Sequence, residues 1–153
     1  MTPNEIDILL VEDNSMDEEL TLWALRKSSL SNTIHVARDG EEALDFLLCR
    51  GAYGERSLNR PPKLVILDLK LPKVDGLEVL RTIKDDVHTR AIPITVLTSS
   101  MEDRDLVESY HLGVNSYIQK PVDFDEFRQT VKQLGRYWLA LNQSPPAAAF
   151  PEK

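Results

Sequence analysis

Short apolar runs rich in branched side chains alternate along this chain with stretches whose apolar positions return every three or four residues, the two periods of strand and helix. Ile6-Asp7-Ile8-Leu9-Leu10-Val11 stops abruptly at Glu12-Asp13-Asn14-Ser15 and predicts a buried strand. From Met16 to Leu30, residues Leu20, Trp23, Ala24 and Lys27 fall at helical spacing, with Asp13, Asn14 or Ser15 available as N-cap and acidic residues in the first turn. The unit then recurs: Thr33–Ala37 predicts a second strand, and Glu41–Arg50 a helix with Ala43, Leu44, Leu47 and Leu48 inward. Leu64–Leu67 is the most apolar strand. It ends at Asp68, and Asp75-Gly76 signals the turn into a helix from about Leu77 to Asp85. A fourth strand, Ile94–Leu97, ends in Thr98-Ser99-Ser100, whose hydroxyls suit the cap of a helix over Glu102–Leu112. Ser116–Gln119 is the fifth strand, ending at Lys120-Pro121, and the last helix is expected from Asp123 to about Leu141.

Two segments carry neither period. Gly51 to Pro62 is a long Gly-, Ser-, Asn-, Arg- and Pro-containing stretch that reads as a surface loop and a candidate contact surface. Residues 143–153 are Pro/Ala-rich and read as a tail that is flexible or loosely docked. Continuous apolar strands alternating with helices predict a doubly wound α/β fold, a five-stranded parallel sheet covered on both faces as a three-layer sandwich. In the flavodoxin-like order 2-1-3-4-5 the functional crevice lies at the carboxyl ends of the strands, between strands 1 and 3.

Composition narrows the function. A chain of 153 residues supports one core, and 18 basic against 25 acidic residues give a net charge of −7, which opposes binding to nucleic acid or an acidic membrane. The one cysteine, Cys49, excludes an internal disulfide and a multi-thiolate metal site and fits the cytoplasm. No apolar run approaches the roughly 20 residues that span a bilayer, and Met1 to Glu5 carry no basic n-region, so neither export nor membrane insertion is expected. His35, His88 and His111 are scattered without ligand spacing. Tyr137, Trp138, Leu139 and Leu141 suit either internal packing or a dimer seam.

The strand ends hold the chemistry. Glu12 and Asp13 follow strand 1, Asp68 strand 3, Thr98 strand 4 and Lys120 strand 5, so one edge of the sheet gathers them all. Carboxylates within about 4 Å repel by about 4 kcal/mol per pair at an effective dielectric of about 20, and three together call for a cation. A hard divalent ion such as Mg2+ uses one or two carboxylates and completes its shell with water and phosphate oxygens, while Lys120 offers a point charge and Thr98 a hydroxyl to the same anion. Carboxylate nucleophile, Mg2+, lysine and hydroxyl are the parts that phosphoryl transfer to an aspartate needs, and Asp68 on the central strand is the natural acceptor.

Over about residues 5–140 the chain resembles a bacterial response-regulator receiver domain. The resemblance rests on Leu10-Val11-Glu12-Asp13-Asn14, on Leu67-Asp68-Leu69-Lys70-Leu71-Pro72 with Asp75-Gly76, on Leu97-Thr98-Ser99-Ser100, and on the run from Gly113 to Pro121. It implies a receiver domain over 5–142 in which Asp68 accepts a phosphoryl group from a kinase histidine, Asp13 and Asp68 ligate Mg2+, Glu12 holds it through water and the Lys70 backbone carbonyl completes the protein ligands. It further implies that Lys120 contacts the phosphoryl oxygen, that the Lys120-Pro121 bond is cis, and that Thr98 and Tyr117 form a switch pair. That switch would repack the face made by the fourth helix, fifth strand and fifth helix for protein–protein output.

The long loop after the second helix, Arg90-Ala91-Ile92-Pro93-Ile94 and Gly135-Arg136-Tyr137-Trp138-Leu139 are similar to stand-alone regulators paired with bacterial phytochromes. That likeness implies a phytochrome histidine kinase as partner and a homodimer through the switch face and C-terminal extension. The resemblance implies no enzymatic activity beyond the domain's own phosphorylation and dephosphorylation. A dehalogenase-type phosphatase would carry a second aspartate two residues after the first, where Lys70 stands, and a flavin carrier would not place Glu12, Asp13 and Asp17 around a phosphate. The alternative is an interaction module on the same fold that works without phosphorylation; such modules usually lose an acidic or lysine position, and none is lost here.

Overall fold

All strands of the sheet run parallel, so the polar residues that terminate them emerge along one edge. The computed structural model describes residues 6–27 and 33–152. Within them β1 (Ile8–Val11), β2 (Ile34–Ala37), β3 (Leu64–Leu67), β4 (Ile94–Thr98) and β5 (Ser116–Gln119) form one sheet in the order β2-β1-β3-β4-β5. Helices α1 (Ser15–Arg26), α2 (Gly40–Leu47), α3 (Gly76–Asp85), α4 (Asp103–His111) and α5 (Phe124–Arg136) connect the strands and cover both faces. This is the doubly wound sandwich that the sequence predicts. The expected end of the first helix at residues 28–30, the expected domain start at residue 5 and tail residue 153 lie outside the described residues.

Burial explains the strand order. β1, β3 and β4 are buried along their whole length, whereas β2 and β5 are only partly covered and stand at the edges. Alternate residues divide the core: Leu9, Val11, Val65, Leu67, Ile94 and Val96 pack with α2 and α3, and Ile8, Leu10, Leu64, Ile66 and Leu97 with α1 and α5. The register sets Val11 opposite Leu67, so Glu12 and Asp68 leave the sheet side by side. Of the three possible caps of α1 the structure uses Asn14, whose Oδ1 accepts from the Asp17 N–H at 2.9 Å. Asp39 and Asp123 cap α2 and α5 in the same way.

Two segments prove anchored and one expectation is corrected. The 51–62 segment is the expected surface loop and is held in place: after a 3-10 turn at Gly51–Tyr53, the Arg56 guanidinium lies 3.7 Å from the Phe46 ring centroid and donates to the Phe46 carbonyl. Tyr53 closes the same cluster, with its hydroxyl donating to Glu42 Oε2 at 2.7 Å and lying 3.0 Å from His35 Nε2. The tail takes the docked alternative. Past a π-helical turn at Tyr137–Leu141 the chain makes a 3-10 turn at Ala147–Ala149 and buries Phe150 in the core on the α2 and α3 side, where removing that large apolar ring from water favours docking of the segment. Finally, the Lys120-Pro121 bond is trans, the isomer that an X–Pro amide prefers by about 0.5–1 kcal/mol.

Candidate functional site

Lys120 leaves β5 and places its ammonium at the meeting point of three carboxylates. Its Nζ lies 2.8 Å from Glu12 Oε1, 2.7 Å from Asp17 Oδ2 and 2.8 Å from Asp68 Oδ2. Asp68 is fixed from its other oxygen: Oδ1 accepts from the Thr98 hydroxyl at 2.9 Å and from the Lys70 N–H at 3.2 Å. The second contact follows from the turn after β3, which swings back toward α3. A Cβ at Gly76 would stand 2.5 Å from the Asp68 carbonyl oxygen, so the helix can begin this close only at glycine.

Glu12 and Asp68 are almost wholly buried, while Asp13, one residue further along, is exposed. One carboxylate oxygen from each of the three lies within 4.8 Å of the others. Two buried oxygens and one open to solvent suit a hard cation that keeps part of its water shell, so these residues fit the divalent metal the sequence calls for. The Lys70 backbone is at the site, whereas its side chain points outward and lies 4.0 Å from Asp105.

The buried charges settle differently on neighbouring carboxyls. Burial pushes Glu12 up to about 7, and the charge of Asp68 adds to the rise against the hydrogen bond from Lys120. Burial acts on Asp68 too, but the hydrogen bond and charge of Lys120, with the Lys70 N–H and the Thr98 hydroxyl, outweigh it and hold Asp68 below the ordinary aspartate range. Asp68 is therefore the carboxylate that stays ionised as a nucleophile must. Burial alone would lower Lys120, yet its hydrogen bonds to Asp17, Asp68 and Glu12 raise it above the ordinary lysine value and keep it charged.

Thr98 and Tyr117, expected as a pair, are joined through a residue that sequence reasoning missed. The Ser100 N–H donates to Thr98 Oγ1 at 3.3 Å, and the Ser100 carbonyl accepts from the Tyr117 hydroxyl at 3.4 Å. The Ser100 hydroxyl donates to the buried Asp105 Oδ2 at 2.6 Å, which ties the strand end to the first turn of α4. Asp17 was also missed as a site residue. Its signal was present, an acid one helical turn beyond Asp13, but first-turn acids ordinarily serve the helix dipole alone.

Residues 8–132 match the response regulator receiver domain family. The probable methanogenesis regulatory protein FilR2 of Methanothrix harundinacea is 46% identical over 141 residues, 92% of this chain and 88% of its own. Response regulator Rcp1 of Synechocystis sp. is 38% identical over 141 residues, 92% of this chain and 93% of its own. The Mn2+-bound form of Rcp1 is similar with a TM-score of 0.86 at 36% identity, over 92% of this chain and 99% of that one. The phosphorylated cyanobacterial phytochrome response regulator RcpA gives 0.86 at 40% identity, with the same 92% and 99% coverage. The bacteriophytochrome response regulator AtBRR gives 0.71 at 55% identity, over 92% and 100%.

Proposed function

Because this chain belongs to the response regulator receiver-domain family of two-component signalling, we propose that it is a phosphorylation switch in which Asp68 accepts a phosphoryl group from a histidine kinase. The observation that carries this reading is the state of Asp68: buried, ionised, and held by Lys120 at 2.8 Å and Thr98 at 2.9 Å beside two further carboxylates. An Asp68 oxygen forms the new bond to phosphorus in line as the bond from phosphorus to the kinase histidine nitrogen breaks, the nitrogen keeping the electron pair. Asp13 and Asp68 would hold Mg2+, with Glu12 acting through water and the Lys70 carbonyl completing the protein ligands. The cation supplies neutralisation of charge on the transferring oxygens. Lys120 donates to a phosphoryl oxygen, and Thr98 turns its hydroxyl from Asp68 Oδ1 to another. Water later releases phosphate from Asp68 and resets the domain.

The change at Thr98 passes through Ser100 to Tyr117 and to α4, where Leu106, Val107 and Tyr110 are exposed. Output runs through that α4, β5 and α5 face and the extension carrying Tyr137 and Leu141, which also suits a homodimer. Met16, Trp23 and Phe124 line an open groove of about 740 Å3 between α1 and the start of α5, a place for the kinase to dock. The likeness to the cyanobacterial phytochrome response regulator RcpA and the bacteriophytochrome response regulator AtBRR supports a phytochrome kinase as that partner. No helix among the described residues is long and apolar enough to cross a membrane.

Intact-protein mass spectrometry after incubation with a small-molecule phosphodonor should show one Mg2+-dependent phosphoryl group on wild type and none on Asp68→Asn. An equal adduct on Asp68→Asn overturns the assignment. No adduct on wild type, even with a cognate kinase, favours an interaction module that works without phosphorylation.

A further inference from the structure

We propose that Asp17 is a positioning residue that holds Lys120 at the acceptor once a cation and a phosphoryl group have drawn Glu12 and Asp68 away from it. The inference rests on the phosphorylation reading and adds a residue to it. An ammonium has three N–H donors, and Lys120 has three carboxylate partners, each at 2.7 or 2.8 Å. Two of those partners, Glu12 and Asp68, also belong to the carboxylate cluster that suits a metal ion; Asp17 does not. When a cation draws on the oxygens of Glu12 and Asp68, the claim of Lys120 on both weakens, and Asp17 is the anion left to it.

Without that partner the lysine would regain its freedom. Its stem has four rotatable bonds and about 2 kcal/mol of rotamer entropy, so an ammonium released from its carboxylates sweeps a wide volume. Asp17 prevents this from a fixed base, since its own N–H is bonded to Asn14 Oδ1 at 2.9 Å in the first turn of α1. One N–H of Lys120 stays on Asp17 while the others turn to the phosphoryl oxygens, which confines the ammonium to the side of Asp68 nearest α1. Positioning of this kind acts on the transfer step and not on metal affinity.

The test compares wild type, Asp17→Asn, Asp17→Glu, Lys120→Ala and the double variant Asp17→Asn/Lys120→Ala. At saturating Mg2+ and phosphodonor, Asp17→Asn should accept phosphoryl groups about tenfold more slowly, with Mg2+ affinity within about threefold of wild type, and Asp17→Glu should restore part of the rate. Adding Asp17→Asn to Lys120→Ala should slow the reaction no further. A wild-type rate in Asp17→Asn overturns the proposal, as does a further tenfold loss in the double variant. The Lys120 side-chain ammonium signal in 15N NMR provides a readout free of phosphorylation, and it should shift or exchange faster in Asp17→Asn. If wild type takes no phosphoryl group, the functional reading falls, and an ammonium signal unchanged by Asp17→Asn still overturns the positioning role.

Discussion

At the scale of single residues, two carboxyls that share one lysine have moved in opposite directions. Glu12 is raised to about 7 by burial and by the charge of Asp68, so between its ordinary value of 4.5 and about 7 the folded protein binds a proton that the unfolded chain releases. Its contribution to stability is complete below 4.5 and is lost as pH rises through about 7. Asp68 works the other way: its contribution is present above the ordinary aspartate value and is lost as pH falls through its lowered folded value. In metal-free buffer the stability from urea unfolding should therefore gain a downward component between pH 5 and 7, no steeper than about 1.4 kcal/mol per pH unit for one proton. Glu12→Gln should remove that component; identical profiles for the two proteins would refute the assignment. The candidate site residues Glu12, Asp13, Asp68, Thr98 and Lys120 were legible because each follows an apolar run. Asp17 was not, because a first-turn acid looks the same in sequence whether it faces solvent or a lysine of β5.

Between elements, the close approach of α2 to the turn after β3 rests on one glycine. A Cβ at Gly40 would lie 1.8 Å from the Val74 carbonyl oxygen, and the Gly40 N–H donates to the Pro72 carbonyl at 3.3 Å. Gly40→Ala must push helix and turn apart, which should destabilise the protein by about 1–3 kcal/mol in denaturant unfolding. A change under about 0.5 kcal/mol would show that the two segments separate freely. The same scale explains how the 51–62 loop is anchored. Its polar, Pro- and Gly-containing sequence has no period, yet Arg56 and Tyr53 find a platform in Phe46 and His35, whose rings stack with centroids 4.5 Å apart. Nothing in the loop itself announces that platform, because Phe46 belongs to α2 and His35 to β2.

Across the whole molecule, the C-terminal segment returns from α5 to the opposite layer, where Phe150 fills the core beside α2 and α3 and Ser57 of the 51–62 segment donates to Glu152. Phe150→Ala should cost about 3–5 kcal/mol in denaturant unfolding, and a loss within about 0.5 kcal/mol would show a tail that merely rests on the surface. The alternation of strands and helices, the parallel sheet and the gathering of Glu12, Asp13, Asp68, Thr98 and Lys120 on one edge were legible in the amino-acid order alone, because period and chain direction are local properties that parallel topology converts into position. The contact of Lys120 with Asp17 as well as with Glu12 and Asp68, the link that Ser100 makes from Thr98 to Tyr117 and α4, and the place of Phe150 in the core emerge on folding. Each of those depends on side chains brought together from distant parts of the chain, whose distances no local pattern encodes.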